Sequence, residues 1–146
     1  MKVFTIGFTK KTAQQFFDLI RNNDIEMLID IRLNNSSQLS GFAKGIDLPY
    51  FLQNICKCEY KWVEGFCPTQ NILKDYKSKK ITWEEYEKHY ISILNARHAE
   101  DKFKRDFSKF NKVCLLCSES EPSMCHRRLL AEYLQKNING IEIQHL

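Results

Sequence analysis

No stretch of this 146-residue sequence approaches the roughly 18 unbroken apolar residues of a membrane span, so no membrane partner is expected. The opening residues, MKVFTIGFTKKT, have neither the apolar core nor the small-residue cleavage site of an export signal, and the expected compartment is the cytoplasm. Little charge of one sign is gathered together: 22 Lys and Arg are interspersed with 18 Asp and Glu in most segments, for a net charge of +4. That pattern excludes a polybasic tail and leaves a mild positive field that helps a small anion approach. Glycine is scarce, at 5 residues, while hydrophobic residues reach 43%, which excludes collagen-like and disordered chains. No internal repeat, low-complexity tract or linker interrupts the chain. Its length suits one domain, residues 1–146, with a proper core, and not two.

What the chain does have is rings and thiols. Ten Phe and six Tyr point to a core, or a cleft, built around aromatic side chains. Six Cys in a reducing compartment are expected as free thiols, ligands or packed core groups, with no structural disulfide.

The pattern of apolar residues predicts an α/β fold with a mostly parallel sheet of four to five strands flanked by helices. Residues 3–7 read as a buried strand. Thr12 with Gln15 forms a capping box ahead of Ala13, Phe16, Phe17 and Ile20 at helical spacing. Residues 27–32 are nearly continuously apolar, as a central parallel strand covered on both faces must be. A polar loop follows at 33–45, and Asp47 with Pro49 opens a short helix. Tyr60 and Trp62 mark a third strand. From 68 to about 110 the chain reads as a helical insertion before the fourth strand, with a second capping box at Thr82 and Glu85 and a Phe103, Phe107, Phe110 face. Residues 113–117 form the fourth strand, a helix runs from about 124 to 136, and 141–146 supply a last strand.

In open parallel sheets, ligands bind beyond the carboxyl ends of the strands, and the unusual polar residues fall there. Asp30 and Arg32 close the second strand, one pleat apart, and read equally as a structural ion pair or as site residues. Cys117 and Glu119 close the fourth. Cys125, His126 and Arg127 open the last helix, where the helix dipole and flanking cations should lower the Cys125 thiol pKa; Cys125 reads otherwise as a small, inert packing residue. Arg127 precedes Leu130 and Ala131 by three and four residues, so it continues the core-facing stripe, ready to clamp an anion or to brace Asp30. His145, ending the final strand, can join the same rim as His126. A metal site is not expected: Cys114 and Cys117, three apart in a strand, point to opposite faces, and Cys56, Cys58 and Cys67 lack a fourth ligand. No cofactor is expected either. His89 and His98 sit among Lys and Glu and read as solvated.

Thr5-Ile6-Gly7, Ile29-Asp30-Ile31-Arg32, the Ser37 and Phe42 loop, Leu115-Leu116-Cys117-Ser118-Glu119, the Cys125-His126-Arg127 triplet and His145 together resemble the uncharacterised family catalogued as domain of unknown function 488. The resemblance spans essentially the whole chain. It implies a common fold and a shared polar pocket at the motif positions, and it supplies no reaction. Thr9 stands where the family typically has Ser, and keeps a hydroxyl. On these positions Arg32, Arg127, Thr9, Ser37 and His145 are candidate ligand-binding residues, and Asp30, Glu119, His126, Cys125 and Cys117 candidate catalytic ones.

A cysteine ending a strand with an arginine on the next helix also resembles rhodanese-type sulfurtransferases and cysteine-dependent phosphatases, whose anion-cradling loops hold about five residues between the two. Here nine residues separate Cys117 from Arg127, and Glu119 and Glu121 stand among them.

Three functions stay open. The first is an enzyme or ligand-binding domain for a nucleotide- or phosphate-like anion. The second is a redox or sulfur-carrying thiol site at Cys117 or Cys125. The third is a nucleic-acid or protein-binding module using Lys74, Lys77, Lys79 and Lys80, lysines that a solvated helix face explains as well. Substrate and oligomeric state are not legible in the sequence.

Overall fold

The computed structural model describes residues 1–36 and 40–146. The chain runs β1 (Lys2–Gly7), α1 (Ala13–Asn22), β2 (Met27–Asp30), α2 (Leu48–Phe51), β3 (Glu59–Trp62), α3 (Gln70–Lys77), α4 (Trp83–Ala96), α5 (Ala99–Phe107), β4 (Lys112–Cys117), α6 (His126–Asn137) and β5 (Glu142–His145). Five parallel strands make one sheet in the order β3-β2-β4-β1-β5, so the fold class read from the apolar runs is the observed one. No described helix is long and apolar enough to cross a membrane.

Local chemistry explains the helix starts. Thr12 and Gln15 form the expected reciprocal capping box, as do Thr82 and Glu85, and Thr69 caps α3 through the Ile72 N–H. α2 is a single turn that passes into a π-turn at Leu52–Cys56. α6 begins at His126, two residues later than its sequence pattern suggested, with Cys125 in extended backbone as its N-cap.

Period-two alternation along the strands divides the core into two halves. Val3, Met27, Ile29, Ile31, Val113 and Leu115 face a layer built from α3, α4, α5 and α6. Phe4, Ile6, Leu28, Cys114 and Leu116 face α1 and the α2 region. Three helices occupy the connection from β3 to β4, and Tyr86, Tyr90, Phe103 and Phe107 are the rings that bury its face.

The strand order also sets where a crevice can open. The chain leaves β2 toward β3 at one edge, but leaves β4 in the opposite direction, across β1 to β5. Loops departing in opposite directions from adjacent strands part above them, so the β2–β4 junction is a topological switch point.

Candidate functional site

A cavity of about 210 Å³ opens at that junction. Arg32, Leu33 and Asn34, beyond β2, line one side, and Cys117, Ser118 and Glu119, at the end of β4, the other. Cys125 and His126 come from the mouth of α6, and Pro68, Leu73, Tyr76, Trp83 and Tyr86 form an apolar wall from the helical layer.

Cys117 sits on its floor. Alternation sends Cys114 to the α1 side of the sheet and Cys117 to the α6 side, as the three-residue spacing requires. The Cys117 sulfur lies 3.5 Å from His126 Nδ1 and 3.6 Å from Nε2. His126 Nε2 is 3.0 Å from the Ile31 carbonyl; because a carbonyl only accepts, Nε2 is the donor there, and Nδ1 is the ring nitrogen left to face the sulfur. The Tyr90 ring, edge-on at 5.6 Å, fixes the imidazole plane.

Cys125 joins them: its sulfur, that of Cys117 and a His126 nitrogen all lie within 4.8 Å of one another. The two thiols titrate as a coupled pair, and here the expectation for Cys125 is corrected. Burial pushes the Cys117 thiol up, but the Cys125 S–H, the Ser118 and Glu119 backbone N–H groups and the Arg127 charge outweigh it, and the net direction is down. Cys125, donating to Cys117 and then penalised by burial, is raised. The lowered thiol is therefore that of the facing strand. Two sulfurs and one nitrogen are one donor short of a four-coordinate structural zinc site, and Cys67 donates to the Arg32 and Val63 carbonyls instead of completing the set.

Behind the floor lies Arg127, fully buried. Its NH1 donates to the Glu119 carbonyl, its NH2 to the Ser120 carbonyl at 3.0 Å, and NH1 is 3.9 Å from the Cys125 sulfur. Among the described residues Nε has no partner and Arg127 makes no salt bridge. Gly7 makes room for it: a Cβ there would fall on the Glu119 carbonyl oxygen and against Arg127 NH1, so only glycine lets β1 pass this closely.

The other predicted residues are placed differently. The Asp30 carboxylate and the Arg32 guanidinium lie on the α1 side of the sheet with Phe8, although Arg32 also lines the cavity. Asp30, wholly buried, accepts from Arg32 N at 3.1 Å, Nε at 2.9 Å and NH2 at 2.7 Å, and from the Tyr60 hydroxyl at 2.7 Å. Burial and then the Asp30 charge push the Tyr60 hydroxyl pKa up, keeping it a donor. Arg32 also donates to the Ala43 carbonyl at 2.7 Å, and its guanidinium lies over the Phe8 ring. Asp30 is thus braced by Arg32 and Tyr60, not by Arg127, and it does not line the cavity; Glu119, exposed at the rim, and His126 do.

His145 and Thr9 line a second, open cleft of about 800 Å³ on the β1–β5 side, with Lys10, Lys11 and Glu121. His145 therefore does not join the rim of His126. Its Nδ1 pairs with the Thr5 hydroxyl at 2.7 Å, and shielding by the fold and then the Arg127 charge lower its pKa. The Thr9 hydroxyl donates to the Ser118 carbonyl at 2.7 Å, tying the ends of β1 and β4. Ser37 lies outside the described residues. His89 and His98 are exposed, as are Lys74, Lys77, Lys79 and Lys80, and only Lys77 of these reaches the cavity rim. Trp83 and Tyr86 wall the cavity with Tyr76, functional residues for which the abundance of rings is the available sequence signal.

Fold and site together define an open parallel α/β domain with a thiol-floored cavity at its switch point. Residues 12–134 match the family model described as Domain of unknown function DUF488, and the chain belongs to that family. No curated protein and no solved structure matches it.

Proposed function

We propose that the cavity is a thiol site in which Cys117 is the nucleophile and Cys125 its resolving partner. The observation that carries this reading is the convergence of Cys117, Cys125 and His126 on one cavity floor, backed by a buried guanidinium that meets no carboxylate among the described residues. A buried unpaired cation is costly, and a sulfur anion beside it supplies the missing countercharge. The two arginines that an anionic ligand would need are engaged with Asp30 and Ala43, and with the Glu119 and Ser120 carbonyls, so the geometry favours the thiol over the anion clamp.

The chemistry supported is thiol–disulfide exchange. The Cys117 thiolate attacks one sulfur of a small disulfide R–S–S–R′; that S–S bond breaks, R′–S⁻ leaves, and Cys117 carries R as a mixed disulfide. Cys125 then attacks the Cys117 sulfur while its proton passes to His126 Nδ1 and on to the departing R–S⁻. The protein dithiol has lost two electrons to the substrate, which is released as one thiol and one thiolate.

Timed alkylation with iodoacetamide, with the labelled residue mapped by mass, tests the assignment. Cys117 should be labelled first although it is only 4% exposed, with a midpoint below the free-thiol value of about 8.5, and mild oxidation should join Cys117 to Cys125. Faster labelling of half-buried Cys56 than of Cys117, or one bound zinc per chain that blocks labelling, overturns it.

A further inference from the structure

We infer that the group carried by the disulfide into this cavity is a single flat, uncharged aromatic or heteroaromatic ring; this rests on the thiol reading above. Size is the first ground. The cavity, about 210 Å³, exceeds the roughly 150 Å³ that suffices for a benzene ring but falls below the range of roughly 300–1,000 Å³ that encloses drug-sized ligands. A ring with a short substituent fits; a tripeptide or nucleotide does not.

The wall is the second ground. Tyr76 from α3 lies 5.4 Å from the Trp83 ring and 5.3 Å from Tyr86, while Trp83 and Tyr86 are stacked at 5.1 Å with an interplanar angle of 16°. The ladder continues through Tyr90 to His126 beside the Cys117 sulfur. Tyr76 is the half-buried ring of this wall, backed by the more deeply buried Trp83 and Tyr86, and a ring-to-ring contact with it is worth roughly two- to tenfold in affinity. Leu73 and Pro68 fill the gaps between them with hydrocarbon.

Charge is the third ground. Arg32 lines the cavity, but its guanidinium is held by Asp30, and Arg127 does not line it at all. The charges left at the mouth are exposed Glu119 and exposed Lys77, of opposite sign. A neutral guest meets no penalty there, whereas a carboxylate or phosphate guest finds no dedicated partner.

The test compares dipyridyl disulfide, a neutral flat substrate, with dihydroxyethyl disulfide and with glutathione disulfide. Each rate of thiol release by the full chain is divided by that of N-acetylcysteine, which removes intrinsic reactivity. The expected result is a normalised rate at least about tenfold higher for dipyridyl disulfide than for either aliphatic compound, abolished in Cys117→Ser. Tyr76→Leu, which keeps the apolar volume and removes the ring, should cut that preference roughly two- to tenfold; Leu73→Phe, adding a ring to the same wall, should not lower it. Equal normalised rates for the three disulfides, or a preference that Tyr76→Leu leaves intact, overturn the ring assignment while the thiol reading stands. No reaction of Cys117 with any of the three overturns the thiol reading itself.

Discussion

Two arginines lie buried at the carboxyl ends of adjacent strands, and they are treated in opposite ways. Arg32, beyond β2, is locked bidentately onto Asp30, whose carboxylate also receives a backbone N–H and the Tyr60 hydroxyl. Among the described residues Arg127, behind β4, has main-chain carbonyls and the Cys125 sulfur beside it, with its Nε unpartnered. The first cluster is electrically complete, and its donors and acceptors are used up. On the proposed reading, a sulfur anion completes the second. Satisfied polar groups near a core fix structure, whereas a group left short of a partner is where chemistry is poised.

The comparison breaks most visibly at the satisfied end. Asp30→Ala leaves Arg32 buried without its counterion and should lower stability by about 3–5 kcal/mol in urea unfolding. The Cys117 alkylation midpoint should stay in place in the fraction that remains folded, because the sheet separates Asp30 from the sulfur. A midpoint that moves with Asp30 would merge the two clusters into one.

Gly7→Ala attacks the other end through sterics. The added methyl must displace the Glu119 carbonyl that Arg127 holds, at a cost of about 3 kcal/mol. Because the Glu119 N–H also helps hold the Cys117 anion, alkylation should lose its low-pH midpoint at the same time. Loss of stability with an unchanged midpoint would mean that the loop is a spacer only.

Arg127→Met is a smaller and sharper cut. Two carbonyls lose their donors, for about 2 kcal/mol, but the charge effect is the diagnostic one. The folded Cys117 pKa lies below its free value, so the stability it contributes is fully present above about pH 8.5 and is lost as the pH falls through the folded value. Without the guanidinium this pH dependence should flatten and the alkylation midpoint should rise. An unmoved midpoint would assign the anion's stabilisation to Ser118, Glu119 and Cys125 alone.

How much of this could be read in advance follows from how local each determinant is. The capping boxes at Thr12 and Thr82, the fully covered strands at 27–32 and 113–117, and the core-facing stripe carrying Arg127 need only neighbours within a turn or a pleat, and all were legible. So was the separation of Cys114 from Cys117. Strand order was not: β4 enters between β1 and β2, and nothing local distinguishes which of several apolar runs pairs with which. For the same reason Asp30 and His126 appeared able to share a rim. Their placement on opposite sides of the sheet depends on the register Asp30↔Leu116, a non-local fact. Cys125 was the more reactive thiol on local grounds, helix mouth and flanking cations; the backbone N–H groups that favour Cys117 belong to a loop whose path no spacing rule fixes.

The mildest cut asks whether the second cleft is independent of the first. Thr5, fully buried, bonds His145 Nδ1 at 2.7 Å, and Leu146 N–H closes on the Thr5 carbonyl, so β5 is fastened to β1 at this point. Thr5→Val keeps the shape and removes one hydrogen bond, for about 1 kcal/mol. The lowered His145 pKa arises first from shielding and next from Arg127, neither of which the substitution touches. In both proteins the neutral ring therefore contributes stability that is present above the free value of about 6.5 and is lost as the pH falls through the folded one. The Cys117 midpoint should not move, because Thr5 touches neither the sulfur nor the loop that holds its charge. Should it move, Arg127 would be the shared element, since its charge acts on His145 and Cys117 alike, and the two clefts would have to be treated as one coupled site.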